Sequence, residues 1–133
     1  MEILVIDGQG GGIGRLLISA LRDACPKARL VAVGTNSAAT SAMLKAGADC
    51  AATGENAVIV NSVRADVITG PIGIVIADAL MGEITAPMAA AVGRSRAKRV
   101  LVPMANCDHL VAGVGEQSVG RLVTCAVEMI RSF

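Results

Sequence analysis

The stretch Val5–Leu17, "VIDGQGGGIGRLL", holds five glycines among thirteen residues and overlaps the apolar run Ile3-Leu4-Val5-Ile6. A continuous apolar run of that kind reads as a strand covered on both faces of a parallel sheet. From Gly12 to Ala24 the period changes. Ile13, Leu16, Leu17 and Ala20 share one helical face, while Arg15, Ser19, Arg22 and Asp23 lie elsewhere. Pro26 stands just beyond the end of that helix. The glycines therefore fall in a strand–turn–helix junction. A helix N-terminus presents unsatisfied N–H groups and partial positive charge, and glycine lets an anion approach them closely.

The alternation continues along the chain. Arg29–Val33 reads as a second strand stopped by Gly34, and Asn36 or Ser37 can cap a small-residue helix ending at Gly47. A short strand is expected at Asp49–Ala52. Thr53 or Gly54 then opens a helical turn through "ENAVIVN", where the β-branched residues also allow a strand. Val67-Ile68-Thr69 is the next buried strand. "GPIGIVIADALMG" is predicted to be a helix opened by Pro71 and closed by Gly82. A short helix at Pro87–Val92, a basic stretch (Arg94, Arg96, Lys98, Arg99) and the strand Val100–Val102 follow. In the last segment Val119, Leu122, Val123, Ala126, Val127 and Ile130 recur on one helix face, with Glu116 at its start and Arg131 near its end. Repeated βα units predict a three-layer α/β domain over residues 1–133. Its sheet is mainly parallel, with helices on both faces, a Rossmann-like arrangement. Such sheets bind ligands beyond the carboxyl ends of their strands.

Composition narrows the function. Apolar residues make up 53% and charged residues 17%, with no Trp or Tyr and a single Phe, Phe133. A charge-poor surface predicts that some apolar area is hidden against another copy of the chain, so a homo-oligomer is expected. A net charge of +1 supplies no field for nucleic acid, and no aromatic platform exists for stacking bases. The apolar stretch Val67–Ala77, bounded by Asp66 and Asp78, is too short to span a membrane, which takes about 20 residues. "MEILVID" carries no basic region and no cleavage site, so a cytoplasmic protein is expected. Cys25, Cys50, Cys107 and Cys125 form no C-x-x-C pair and read as free thiols.

The glycine spacing is G-x-x-x-G-x-G at Gly8, Gly12 and Gly14, not the G-x-G-x-x-G of the common dinucleotide fingerprint. It resembles the cofactor turn of short-chain dehydrogenases/reductases. The resemblance implies a nucleotide diphosphate at Gly12, Ile13 and Gly14. Three departures stand out: Asp7 precedes the first glycine, the second strand ends in Gly34-Thr35-Asn36 without an acid, and the chain has no tyrosine. The last excludes reductase chemistry of that family's kind. Over its length the chain also resembles a family of small bacterial proteins of unknown function. That likeness is carried by "IDGQGGGIG", "GTNSAATSAMLKAGA", "TGENAVIVN" and "ADVITGPIGIVIADALMGEIT", and it supplies no reaction.

The expected ligand is a small anion, a phosphate-bearing nucleotide such as NAD(P) or another nucleotide. Gly8, Gly10, Gly11, Gly12, Ile13 and Gly14 would form its cradle. Asp7 would contact a ribose, a metal or a polar ligand group, and Asn36 would lie near the ribose. Polar residues after the strands, Gln9 beside Asp7 and then Thr35, Thr53, Glu55, Asn56 and Thr69, gather on the same edge of a parallel sheet. Asn106-Cys107-Asp108-His109 is the one nucleophile-like cluster, and adjacent residues of this kind more often form an ordinary loop than a working dyad. Two other functions fit the same residues. One is an accessory or homo-oligomeric subunit with purely structural glycines. The other is a small enzyme acting on a phosphorylated or nucleotide substrate, with Asn56, Asp108 or His109 as acid–base groups.

Overall fold

Ile3–Ile6 lies at the buried centre of a sheet, each residue fully shielded from solvent. The structure, a computed structural model, describes residues 1–103 and 109–133. Strands β1 (Glu2–Asp7), β2 (Arg29–Gly34), β3 (Cys50–Thr53), β4 (Val67–Pro71) and β5 (Lys98–Val102) form one sheet in the order β3-β2-β1-β4-β5. Every pairing is parallel, and Ile3 lies opposite Leu30 on one side and Val67 on the other. Parallel neighbours need long crossovers. These are the helices α1 (Gly12–Ala24), α2 (Ser37–Lys45), α3 (Glu55–Arg64) and α4 (Ala86–Arg94), and α5 (Val119–Arg131) follows the last strand.

Alternation along the strands divides the core in two. Ile3, Val5, Leu30, Ala32 and Val67 pack with Leu17, Leu21, Met43, Val123 and Ile130, so α1, α2 and α5 cover one face. Leu4, Ile6, Val31, Val33 and Ile68 pack with Val58, Met88 and Val92, so α3 and α4 cover the other. The result is the expected three-layer Rossmann-like fold. Chain direction decides where a site can form. β1 continues into α1 on one face, whereas β4 continues toward α4 on the opposite face. The carboxyl ends of β1 and β4 therefore diverge, which opens a crevice at the point where strand order reverses.

One predicted element is replaced. The expected helix at 70–82 is instead the end of β4 with Pro71 buried in it, a single 3-10 turn at Ile72–Val75, and a looped segment reaching Ile84. Asp78, Leu80, Met81 and Gly82 all take positive φ, which no α-helix tolerates. Ile72, Ile74, Val75 and Ile76 are β-branched, and their helix propensity is correspondingly low. Smaller shifts occur elsewhere. "ENAVIVN" is helical, with Gly54 rather than Thr53 as its N-cap. α5 starts at Val119 on a Ser118 cap that accepts from Arg121 N, so Glu116 precedes the helix. No helix among the described residues is long and apolar enough to cross a membrane.

Candidate functional site

The glycine turn is built around Asp7. Gly11 occupies the N-cap of α1 in the left-handed region, at φ 72°, and glycine has no side chain with which to cap. Asp7, at the end of β1, supplies the cap from a distance. Its Oδ2 accepts from Gly14 N at 2.6 Å and its Oδ1 from Gly8 N at 2.8 Å. The residue is only 4% exposed. Burial is the largest influence and pushes the carboxyl above its ordinary 3.8. The amides of Gly14, Gly8 and Ile13 oppose that push, and the Glu83 charge adds to it. The sequence reading sets Asp7 against a ligand. The structure turns it inward, because buried amides of the first helical turn need an acceptor and the strand end lies beneath them.

The five glycines fall into two groups. A Cβ on Gly8 would lie 2.6 Å from Thr35 Oγ1, and one on Gly14 would lie 2.8 Å from Asp7 Cβ and 2.5 Å from Met43 Sδ. Gly11 is fixed by its φ and by the close approach of Ala39 at 2.9 Å. Packing explains these three. Gly10 and Gly12 differ: a Cβ on either would meet nothing within 4 Å, and neither has positive φ. Both are exposed, and the amide of neither donates to an acceptor among the described residues. The fold itself makes no demand for glycine at these two positions.

Beside the turn, at the end of β2, lies a carboxylate that sequence reasoning missed. Glu83, from the looped segment after β4, accepts through Oε1 from Gln9 N at 2.9 Å, from Asn36 Nδ2 at 2.8 Å and from Thr35 Oγ1. The Thr35 hydroxyl, followed by the Gln9 amide, holds the Glu83 carboxyl below its ordinary 4.5. Asn36 assists and partial burial opposes. β2 carries no acid of its own, and the fold brings one to it from 47 residues away. No local pattern announces such a contact. Asn36 is fully engaged: its Oδ1 caps α2 by accepting from Ala39 N, and its Nδ2 donates to Gln9 O and to Glu83. It therefore reaches the site through Glu83.

The remaining polar residues of this edge are only partly brought together. Thr40 and Thr53 share a hydrogen bond at 2.7 Å, and Thr85 donates to Glu55 at 2.5 Å. Asn56 is exposed on α3, and Thr69 is buried in β4. Asn106, Cys107 and Asp108 lie outside the described residues, and His109 is exposed. Among the described residues no group of three His, Cys, Asp or Glu side chains is arranged to hold a metal. Arg15 is exposed one helical turn beyond Gly12, and with Lys45 it lines a groove of about 690 Å³ between α1 and α2. The i, i+3 spacing from Gly12 is the signal that could have singled out Arg15.

Strand order, the switch point between β1 and β4, and the glycine turn define a Rossmann-like α/β protein. The chain belongs to the family described as Domain of unknown function (DUF3842), whose model matches residues 2–133. No curated protein matches it. One similar solved structure is the dodecameric FMN-dependent Ubix-like decarboxylase from Escherichia coli O157:H7. It is 20% identical with a TM-score of 0.48, over 98% of this chain and 76% of that one.

Proposed function

We propose that this protein binds a phosphate-bearing nucleotide or dinucleotide at the first strand–helix turn. The observation that carries the reading is the pair Gly10 and Gly12. Among the described residues their amides meet no acceptor and a Cβ on either would meet no atom within 4 Å, and neither packing nor φ calls for glycine there. Exposed amides at a helix N-terminus suit phosphate oxygens. Asp7, Gly8, Gly11 and Gly14 shape the turn, Ile13 continues it into α1, and Asn36 acts through Glu83. Because Asp7 already holds the amides of Gly8 and Gly14, the ligand's phosphate would lie outside it, against Gly10 and Gly12. Arg15, one turn further along α1 and exposed, supplies positive charge alongside.

Thermal denaturation with NAD, NADP, ATP, coenzyme A and inorganic phosphate tests this. A ligand at one hundred times its Kd adds about 2.7 kcal/mol, or roughly 8 °C in a domain of this size. Gly12→Val is expected to remove the shift while leaving the unliganded Tm within about 2 °C, because the new side chain points into open space. If none of the five compounds moves the transition, the reading fails. A full shift in the valine variant would remove the turn from the site.

The expected self-association belongs to the same proposal. Val63 and Met81 are 83% and 94% exposed, a large apolar exposure for a chain left alone in water. Sedimentation is expected to find an oligomer, and a monomer at high concentration would remove that part.

A further inference from the structure

Helices α3 and α4 lack the polar outer face of helices that meet water. Between Glu55 and Arg64 no residue of α3 is ionisable, and α4 carries only Arg94, its last residue. Val60 is 37% and Val63 83% exposed. Between the two terminal charges of α3, Asn56 is the one exposed polar side chain. By contrast, α1 exposes Arg15 and Asp23, and α5 exposes Arg121 and Glu128. Ile59 and Val63 of α3 and Pro87, Ala90 and Ala91 of α4 line a groove of about 360 Å³ between the two helices. The charges of this face lie at its ends. Thr85, the N-cap of α4, donates to Glu55 at the start of α3, and Ser95, the C-cap of α4, donates to Ser62 O near the end of α3. The two helices therefore run side by side in one direction, with Glu55 at one end of the face and Arg64 and Arg94 at the other. All three are exposed, and none has an ion-pair partner among the described residues.

We infer that the outer face of α3 and α4 binds a second copy of this chain across a twofold axis, with each α3 antiparallel to its counterpart. A twofold interface sets one patch against itself. An axis crossing α3 at right angles between Ile59 and Val60 brings Glu55 of one copy to Arg64 of the other, and does so twice. An axis along the helices would instead set the arginine ends together, Arg64 against Arg94. Opposite charges select the first arrangement, and like charges disfavour the second. Burial of the apolar middle drives the association, and the charged ends fix its direction. This rests on the self-association proposed above, is independent of nucleotide binding, and adds the surface and its geometry.

The test is sedimentation of the full chain and of single variants, each checked for an unchanged far-UV spectrum. Val63→Glu is expected to weaken association about a hundredfold, because it drives a charge into the apolar middle. Val63 is mostly exposed within one copy, so the variant keeps its fold. Met129→Glu, on α5 across the sheet, is expected to associate as wild type does. Glu55→Arg and Arg64→Glu each set like charges together, and each is expected to weaken association about tenfold. Mixed in equal amounts, these two variants restore both opposite-charge pairs, so the mixture is expected to regain wild-type association. Failure of the mixture to recover overturns the antiparallel arrangement. Full association of Val63→Glu, or loss of association in Met129→Glu instead, overturns the assignment of this face and leaves self-association standing. A wild type that stays monomeric at high concentration overturns both.

Discussion

Gly70→Ala is expected to destabilise the protein by about 4 kcal/mol. Gly70 lies on β4 beside the central strand β1, at φ 155°, a conformation that side-chain-bearing residues rarely adopt. A Cβ there would fall on the carbonyl oxygen of Ile6, far inside the 3.0 Å that real Cβ contacts respect. The atom struck is main chain of the central strand and a Cβ has no rotamer of its own, so no side-chain movement relieves the contact. Backbone strain of about 1–3 kcal/mol adds to overpacking of about 1–3 kcal/mol. The sum is a large part of a typical domain's stability of about 5–15 kcal/mol. Urea unfolding reads the loss as a fall in midpoint at unchanged slope. Gly10→Ala serves as the control and is expected to stay within about 0.5 kcal/mol of wild type. Equal losses in the two variants would show that close approach of the backbone is not what fixes glycine at position 70.

That contrast marks the limit of what the sequence makes legible. The continuous run Ile3–Ile6, the helical face of Leu16, Leu17 and Ala20, and the apolar repeat of α5 are local patterns, and each forms the element it predicts. Asn36 as cap of α2 is equally local. Segment 70–82 misleads because Pro71 and Gly82 stand where helix ends place those residues. The chain uses Pro71 to finish a buried strand and Gly82 for a positive φ in a loop. Within the turn, five glycines look alike as letters. Only the neighbours of each missing Cβ separate Gly8 and Gly14, which face Thr35, Met43 and Asp7, from Gly10 and Gly12, which face open space. Glu83 is invisible for a related reason. Its partners Gln9, Thr35 and Asn36 lie 47 or more residues away in sequence, and they meet only after the sheet has assembled.

Asp7→Ala is expected to cost about 3 kcal/mol, and the pH dependence of Asp7→Asn identifies the cause. Truncation to alanine leaves the amides of Gly8 and Gly14 without their acceptor in a buried turn. Each buried donor left unsatisfied costs about 1–3 kcal/mol. Asparagine retains one carbonyl acceptor and sheds a desolvated charge, so its loss at neutral pH is smaller. The sign of the pH effect follows from the direction of the shift. Burial raises the Asp7 carboxyl above 3.8 in the folded protein. Above that pH the folded state holds its proton longer than the unfolded chain does. Stability derived from Asp7 therefore falls as pH rises from 3.8 to the folded value, and is level beyond it. Glu83 and Asp49, both lowered, lose stability in the opposite direction as pH falls. Both are present in either protein, so subtracting the Asp7→Asn curve from wild type largely removes them. The difference is expected to favour wild type most strongly at the acid end and to narrow as pH rises. A difference that widened with pH would mean that the amides of Gly14 and Gly8 outweigh burial. Asp7 would then be an anion held permanently by the helix, and a ligand phosphate would meet its full negative charge at the turn.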